Sequence, residues 1–188
     1  MKCDIVLAGV GGQGILSIAT ILGAAALEED LYLKQAEVHG MSQRGGDVQS
    51  NLRLSSKPIA SDLIPLGGAD MIVSLEPMEA LRYIPYLKPG GWVITNTAPF
   101  VNIPNYPEET KVAAELTSLP NVIAFDMDKV AKELMSPRSS NMVLLGAASK
   151  HIDLSAEKIE DAIRRIFGAK GEKIVETNIA AFRAGRNF

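Results

Sequence analysis

A glycine-rich segment near the N-terminus constrains the fold more than any other part of the chain. A short apolar run, 5–8, leads into glycines with the G-x-G-x-x-G spacing, and an apolar helical segment follows from residue 15. The residues of this turn are Gly9, Gly11, Gly12, Gln13 and Gly14. Such glycines allow a tight strand-to-helix turn whose N–H groups point at a bound anion. The motif predicts either an anion-binding site or a purely structural turn of the same shape, and the spacing alone favours neither.

The segment after the glycines is apolar almost all round. Between residues 15 and 27 the only polar side chains are Ser17 and Thr20. A helix of this kind has no solvated face and must be covered on two sides. It is therefore either a central helix buried within one domain or a helix at a subunit interface, where small residues such as Gly23 would admit a neighbouring backbone.

Length and charge narrow the function classes. The 188 residues form one domain, 1–188, with enough apolar sequence for a full core. The 19 basic and 22 acidic residues leave a net charge of −3, so neither nucleic acid nor a membrane surface is an expected partner. The segment after Met1 is strand-like and no apolar run is long enough to span a bilayer, which predicts a cytoplasmic protein.

The supply of metal-binding side chains is small. Cys3 is the single cysteine, and His39 and His151 are the two histidines. An iron–sulfur cluster ordinarily takes four cysteine ligands, so we expect any redox centre to belong to another chain. We also predict that this chain holds no metal.

Strands and helices alternate along the chain, which predicts an α/β fold with a Rossmann-like, doubly wound, mainly parallel sheet and C-terminal helices. Strands are expected at 71–75, 92–95 and 122–125, and helices at 78–87, 127–135, 142–150, 156–167 and 172–184. Asn141 and Ser155 are predicted helix N-caps. Alternation over 47–55, with a turn at 56–57, predicts an inserted β-hairpin whose second arm runs through Ile59.

A polar, glycine-rich cluster precedes that hairpin. Its candidate binding residues are Glu37, His39, Gly40, Ser42, Gln43, Arg44, Gly45 and Gly46. Glycines beside an arginine let a loop approach a partner closely, and a guanidinium binds carboxylate or phosphate with two hydrogen bonds. The alternatives are a solvated loop with a Glu37–Arg44 ion pair, and a dinucleotide site in which Glu37 binds a ribose. His39 is more often a structural residue than a catalyst, since no nucleophile is paired with it.

These motifs together resemble a known family. The pattern consists of the glycine turn, the block from Glu37 to Gly46, the segment Asn141-Met142-Val143-Leu144-Leu145-Gly146, and Asn178, Ala181 and Gly185. It resembles the gamma subunit or domain of 2-oxoacid:ferredoxin oxidoreductases, over essentially the entire chain. Pyruvate and 2-oxoglutarate relatives usually carry a Tyr-Gly-Pro-like segment before the arginine, whereas this chain has His-Gly-Met-Ser-Gln, which favours the indolepyruvate branch.

The resemblance implies a division of labour between subunits. In the family, thiamine diphosphate and the iron–sulfur clusters lie in other subunits or domains, and this chain has no thiamine-binding pattern. It implies a non-cofactor-bearing small subunit that is inactive alone and catalyses nothing through its own side chains. The implied reaction of the complex is oxidative decarboxylation of an arylpyruvate with coenzyme A to an aryl-acetyl-CoA, with electrons passing to ferredoxin. The implied partner is a large thiamine-diphosphate and iron–sulfur subunit, and a dimer of heterodimers is one assembly to consider.

Other classes stay open from the sequence. A stand-alone NAD(P)-binding oxidoreductase would use the same glycines and Glu37, and a nucleotide-binding regulatory module would use them without catalysis. The segment 87–94 is typical of methyltransferases, which usually carry an acid at the end of the first strand, where this chain has Leu7 and Ala8. A gamma subunit acting on pyruvate or 2-oxoglutarate is a further alternative.

Overall fold

A six-stranded mixed sheet organises the molecule. A computed structural model describes residues 1–39 and 45–188, with only the backbone described for His39. The strands are β1 (Lys2–Val10), β2 (Tyr32–His39), β3 (Asp47–Ser55), β4 (Ala69–Ser74), β5 (Leu87–Asn96) and β6 (Val122–Phe125). The helices are α1 (Ile15–Glu28), α2 (Pro77–Arg82), α3 (Glu109–Thr117), α4 (Met127–Glu133), α5 (Ser140–Ser149), α6 (Ala156–Phe167) and α7 (Glu172–Gly185).

The strand order is β2-β3-β1-β4-β5-β6. Strands β1, β4, β5 and β6 pair in parallel, whereas β3 is antiparallel to both of its neighbours, β1 and β2. Strand β2 therefore runs in the direction of β1, and only β3 is reversed. The predicted α/β class with a mainly parallel sheet is confirmed.

The second arm of the predicted hairpin was placed wrongly. Strand β3 forms its hairpin with β2, where Leu33 pairs with Leu54, and residues 56–61 contain no strand. The alternation over 47–55 also predicted one solvated face, carrying Gln49, Asn51 and Arg53, but Asn51 is 3% exposed in the structure. An inserted strand in the middle of a sheet is covered on both faces, so its polar residues are not simply solvated.

Alternate residues of the central strands supply two apolar clusters, one on each face of the sheet. Ile5 and Leu7 of β1 face the larger cluster, which includes side chains of α1, α5, α6 and α7. Val6 and Ala8 face the smaller cluster, which includes residues of α2 and α3. This period of two is what a strand buried on both faces requires. Helix α3 lay outside the predicted elements, and α2 ends at Arg82 rather than at residue 87.

Helix α1 is covered within its own chain. Its buried residues include Ile15, Ile18 and Leu22, and α6 packs across it, with Arg165 donating to the carbonyl of Ala24 at 3.2 Å. Burial within the chain, the first of the two predicted alternatives, accounts for most of its apolar surface. Leu16 and Leu27 stay exposed, at 38% and 61%. Among the described residues, none of the helices combines the length and apolarity needed to cross a bilayer.

Helices α5 and α7 cross at unusually close range. A β-carbon at Gly146 would lie 2.0 Å from the carbonyl oxygen of Phe182, and one at Gly185 would lie 1.9 Å from that of Val143. Both distances are far inside van der Waals contact, so each helix needs a residue without a side chain at the crossing. Two glycines of the family-like pattern thus have a packing role.

Candidate functional site at the carboxyl edge of the sheet

The two motifs singled out in the sequence meet at one edge of the sheet. Strands β1, β2, β4 and β5 all end at this edge, and β3 begins there at Asp47. The glycine turn follows β1, and Glu37 and the backbone of His39 lie near the end of β2. Ligand sites of doubly wound folds lie at this edge, where helices leave the sheet in opposite directions. The predicted site residues Gly40, Ser42, Gln43 and Arg44, with Met41, lie outside the described residues.

Backbone hydrogen bonds join the glycine turn to the end of the arginine segment. The N–H of Gly11 donates to the carbonyl of Gly46 at 2.8 Å, and the N–H of Gly45 donates to the carbonyl of Gly11 at 3.2 Å. Gly45 has a φ of +78°, which favours glycine. The structure therefore brings Gly11, Gly45 and Gly46 together, although they are far apart in the sequence.

The side chain of Gln13 spans the crevice between the ends of β1 and β4. Its Oε1 accepts from the N–H of Val10 at 2.7 Å, and its Nε2 donates to the carbonyl of Leu75 at 3.2 Å. A β-carbon at Gly9 would lie 3.0 Å from this Oε1, so Gly9 leaves room for the Gln13 amide. In dinucleotide-binding folds this crevice at the switch point receives the ligand. Here a side chain of the turn bridges it.

The last glycine of the turn is held by α5. Gly14 is the N-cap of α1 with a φ of +85°, and Nδ2 of Asn141 donates to its carbonyl at 3.2 Å. A β-carbon at Gly14 would lie 2.8 Å from that Nδ2. Asn141 was predicted to cap α5, but α5 begins at Ser140, so Asn141 lies in its first turn and fastens the glycine turn instead. Gly12 has a φ of +105°, and a β-carbon at this position would have no atom within 4 Å among the described residues.

The position of Glu37 weakens the dinucleotide alternative. Glu37 lies exposed on β2 and pairs in register with Ser50 of β3. In dinucleotide folds the strand bearing the ribose-binding acid lies directly beside the first strand. Here β3 separates β2 from β1, which places Glu37 two strand spacings away, roughly 10 Å.

A buried carboxylate beside the turn was missed in the sequence. Glu76 follows β4, is 0% exposed, and accepts hydrogen bonds from the N–H of Glu79 at 2.8 Å, the N–H of Phe100 at 3.3 Å and the hydroxyl of Tyr106. The last two donors belong to the loop 97–108. The same loop carries Asn102, whose Nδ2 donates to the carbonyl of Gly45 at 2.8 Å. A glutamate after an apolar strand was visible in the sequence, but nothing there indicates its distant donors.

A second carboxylate on α2 has a cation. Glu79 is 1% exposed and its oxygens accept from Nε of Arg82 at 2.8 Å and Nη2 at 3.1 Å. Burial raises the pKa of Glu79, while the hydrogen bonds from Arg82 oppose that rise. The pair stabilises α2, which carries the capping carboxylate of Glu76 at its N-terminus.

The side chains that could bind a metal are not assembled into a site. The described residues contain no group of three or more His, Cys, Asp or Glu side chains suited to a metal ion. Cys3 is buried, and burial raises the pKa of its thiol to about 12, with Asp70 adding to the effect. A thiolate is the form that binds iron or zinc, so the buried, protonated thiol of Cys3 is not prepared to act as a ligand.

Comparison with known proteins identifies the class. The profile of the pyruvate ferredoxin/flavodoxin oxidoreductase family matches residues 4–188. The chain therefore belongs to this family, and it is the counterpart of the small subunits of 2-oxoacid:ferredoxin oxidoreductases. The resemblance drawn from the motifs is confirmed, and neither a stand-alone NAD(P)-dependent enzyme nor a methyltransferase is favoured.

Curated relatives match nearly the full chain. The indolepyruvate oxidoreductase subunit IorB of Pyrococcus horikoshii is 41% identical over 97% of this chain and 93% of its own length. The subunit of the same name from Archaeoglobus fulgidus is 36% identical over 100% and 95%. The common gamma subunit of pyruvate/ketoisovalerate oxidoreductases from Thermococcus kodakarensis is 31% identical over 93% and 92%.

Solved structures share the fold. The keto/oxoacid ferredoxin oxidoreductase gamma subunit from Geobacter sulfurreducens is 25% identical, with a TM-score of 0.71 over 98% of this chain and 96% of that one. A 2-oxoglutarate:ferredoxin oxidoreductase from Magnetococcus marinus, solved with 2-oxoglutarate, coenzyme A and succinyl-CoA, is also 25% identical, with a TM-score of 0.73. The match covers 99% of this chain and 30% of that longer chain.

Proposed function

We propose that this chain is the non-cofactor-bearing small subunit of an indolepyruvate, or more broadly arylpyruvate, ferredoxin oxidoreductase. The whole of residues 1–188 acts as one gamma-type domain, docked on a large subunit through the glycine turn and the segment that carries Arg44. The complex oxidatively decarboxylates an arylpyruvate with coenzyme A and passes the electrons to ferredoxin. We place this complex in the cytoplasm and keep a dimer of heterodimers as its proposed assembly.

The joining of the two motifs at one edge carries this proposal. The hydrogen bonds between Gly11 and Gly45 and Gly46 hold two glycine-rich segments as one surface. The side-chain amide of Gln13 is bound by Val10 and Leu75, and the carbonyl of Gly14 is bound by Asn141 of α5. These internal bonds fix the shape of the turn, and its glycines leave the backbone open, which suits close approach by another subunit.

The substrate class rests on the order of similarity. Relatives named for indolepyruvate are 33–41% identical to this chain, whereas those named for pyruvate and ketoisovalerate are 31–32% identical. This difference supports an aryl side chain on the oxoacid. The alternative within the same family is a subunit of a complex that acts on pyruvate or 2-oxoglutarate.

The donor set supports a division of labour. One cysteine with a raised thiol pKa does not supply the ligands of an iron–sulfur cluster. We therefore assign the clusters and thiamine diphosphate to the large subunit, where thiamine diphosphate supplies the carbanion chemistry of decarboxylation. The proposed contribution of this chain is to orient the substrates and to enclose the active site. Arg44 would hold the phosphates of coenzyme A or shape the mouth of that site.

Reconstitution with the large subunit tests the proposal. The wild-type chain should bind the large subunit and support arylpyruvate-dependent reduction of ferredoxin, more efficiently than with pyruvate. Arg44→Ala should weaken assembly or raise the KM for coenzyme A about tenfold, the loss of one charge-assisted bidentate contact. Arg164→Ala, which removes an exposed arginine of α6 whose ion pairs with Glu160 and Asp161 lie within that helix, is the matched control.

Two results decide against parts of the proposal. Unchanged affinity and kinetics of the Arg44→Ala complex would remove the role of Arg44. Failure of the wild-type chain to bind the large subunit would overturn the proposal as a whole.

A further inference from the structure

The loop 97–108 lies against the docking edge without belonging to either motif. It leaves β5 at the carboxyl edge and ends where α3 begins at Glu109. Asn102 in its middle donates from Nδ2 to the carbonyl of Gly45 at 2.8 Å. Gly45 in turn donates its N–H to Gly11. One side chain of this loop thus reaches the residue at which the two motifs are joined.

The loop is itself fastened to the sheet. The carboxylate of Glu76 accepts from the N–H of Phe100 at 3.3 Å and from the hydroxyl of Tyr106, so it binds the loop on both sides of Asn102. Glu76 is 0% exposed. A buried carboxylate is strongly destabilised when it loses a donor, which keeps both attachments occupied.

We propose that Asn102 is a positioning residue for the docking edge, and that Glu76 is the anchor through which β4 holds Asn102 in place. The N–H of Gly45 already donates to Gly11, so a bond to the carbonyl of Gly45 restrains the backbone where the two motifs are joined. Asn102 thereby holds Gly45 and the glycine turn in a fixed relation at the docking edge, without contacting substrate. This inference rests on the proposed docking on a large subunit and adds a third segment to that edge.

The geometry favours an effect on docking over an effect on folding. Asn102 is half-buried, and the loop keeps its two bonds to Glu76 when the Asn102 side chain is changed. Phe100 and Val101, beside Asn102, expose 44% and 64% of their surface, so few core contacts depend on this part of the loop. A change at Asn102 should therefore leave the isolated subunit folded and alter the surface offered to a partner.

Asn102→Ala is the main test because it removes the bond to Gly45 without adding charge. Asn102→Asp also cannot donate and repels the carbonyl of Gly45, but its carboxylate would replace the Oδ1 of Asn102, which is buried without a hydrogen-bond partner among the described residues, so we expect it to lose stability as well. Asn105→Asp is the matched control, with the same change in charge at an exposed asparagine of the same loop. For each variant we would measure the thermal midpoint and amide exchange at Gly11 and Gly45 in the isolated chain. Affinity for the large subunit, kcat and KM would be measured in the complex.

The expected result separates positioning from folding. Both Asn102 variants should speed exchange at Gly11 and Gly45 and weaken binding to the large subunit about tenfold, with Asp worse than Ala. The thermal midpoint of Asn102→Ala should stay within about 4 °C of wild type, whereas that of Asn102→Asp should fall further. Asn105→Asp should change none of these quantities.

Three outcomes would overturn the inference. One is wild-type affinity and KM in both Asn102 variants, while the wild-type complex forms and is active, which leaves the proposed function intact. Another is a fall in the thermal midpoint of Asn102→Ala large enough to account for its lost affinity, which makes Asn102 structural only. The third is a wild-type chain that does not bind the large subunit, which overturns the proposed function as well.

Discussion

At the scale of one residue, Gln13 ties the glycine turn to the ends of two neighbouring strands. Its amide pairs with Val10 and Leu75 across the ends of β1 and β4. We expect Gln13→Ala to lower the free energy of unfolding by about 1–3 kcal/mol, because it leaves a part-buried N–H and a carbonyl without partners. Urea unfolding of the isolated chain measures this. Gln35→Ala, which removes a single hydrogen bond from an exposed glutamine of β2 to Ser50, should cost less, about 0.5–1 kcal/mol.

The same variant tests whether Gln13 only bridges β1 and β4 or blocks a nucleotide site. Wild type and Gln13→Ala should both fail to bind NAD or NADP in a titration, since Glu37 lies a strand too far from the turn. A loss of stability equal to that of Gln35→Ala would contradict the bridging role. Tight binding of NAD by either protein would revive the dinucleotide alternative.

At this scale the sequence predicted which residues matter better than it predicted their hydrogen-bond partners. The glycines were found from their spacing, because a tight turn and positive φ restrict the choice of residue locally. The bond from Asn141 to Gly14 and those from the loop 97–108 to Glu76 join residues distant in sequence. Local pattern carries no information on such pairs, so Asn141 was taken for a cap and Glu76 was overlooked.

The crossing of α5 and α7 places a steric demand on whole elements. Gly146→Ala would put a β-carbon 2.0 Å from the carbonyl of Phe182, so the helices must separate. We expect a loss of about 1–3 kcal/mol or more in the free energy of unfolding, as for other overpacked cores. Gly168→Ala is the matched control, since nothing lies within 4 Å and its φ is −54°. That variant should be neutral or stabilise by about 0.4–1 kcal/mol, and equal effects of the two variants would refute the close crossing.

An ion pair joins α6 to α7. Glu160 accepts from Nε and Nη2 of Arg183, both at 2.7 Å, and these bonds hold the pKa of Glu160 below its ordinary value. A carboxyl with a depressed folded pKa adds stability above its unfolded pKa and loses it as the pH falls through the folded value. We therefore expect Glu160→Gln to reduce stability near pH 7 and to narrow its difference from wild type below about pH 4. Urea unfolding from pH 7 to pH 3 measures this, and a difference independent of pH would contradict it.

Elements with a strong periodic pattern were predicted well. Ser155 caps α6 as expected, accepting from the N–H of Lys158. Strands β5 and β6 include the predicted apolar runs, and β4 covers the predicted run 71–75 except for its last residue. Helix α3 was missed because only Val112 and Leu116 of its residues are buried, which leaves a weak periodic pattern. The partner of β3 was misassigned because alternation fixes a strand's faces but not its neighbour.

At the scale of the molecule, the packed faces of the sheet are separate from the edge that carries the motifs. One face of the sheet is packed by α1, α5, α6 and α7, the other by α2 and α3, and the carboxyl edge between them gathers the glycine turn, Gly45 and the loop 97–108. Contacts on both faces hold this edge in place, so a partner meets a preorganised surface. Preorganisation lowers the entropy lost on association, which suits the proposed docking of this chain on a large subunit.

Cys3 offers a test of that separation in the assembled enzyme. Its thiol is buried, with a pKa raised to about 12, so it should pack as a small apolar side chain and take no part in electron transfer. The isolated chain should not reduce ferredoxin with any 2-oxoacid, and adding the large subunit should produce activity. The complex with Cys3→Ala should keep kcat and KM within about twofold of wild type, since only buried volume changes.

The matched measurement is thiol labelling of the native chain. Iodoacetamide should modify Cys3 slowly at neutral pH and rapidly in urea, because the protonated, buried thiol is unreactive until the chain unfolds. A complex of Cys3→Ala that assembles normally yet loses more than about tenfold in kcat would place this thiol in the electron path. Such a result would contradict the assignment of all redox chemistry to the partner.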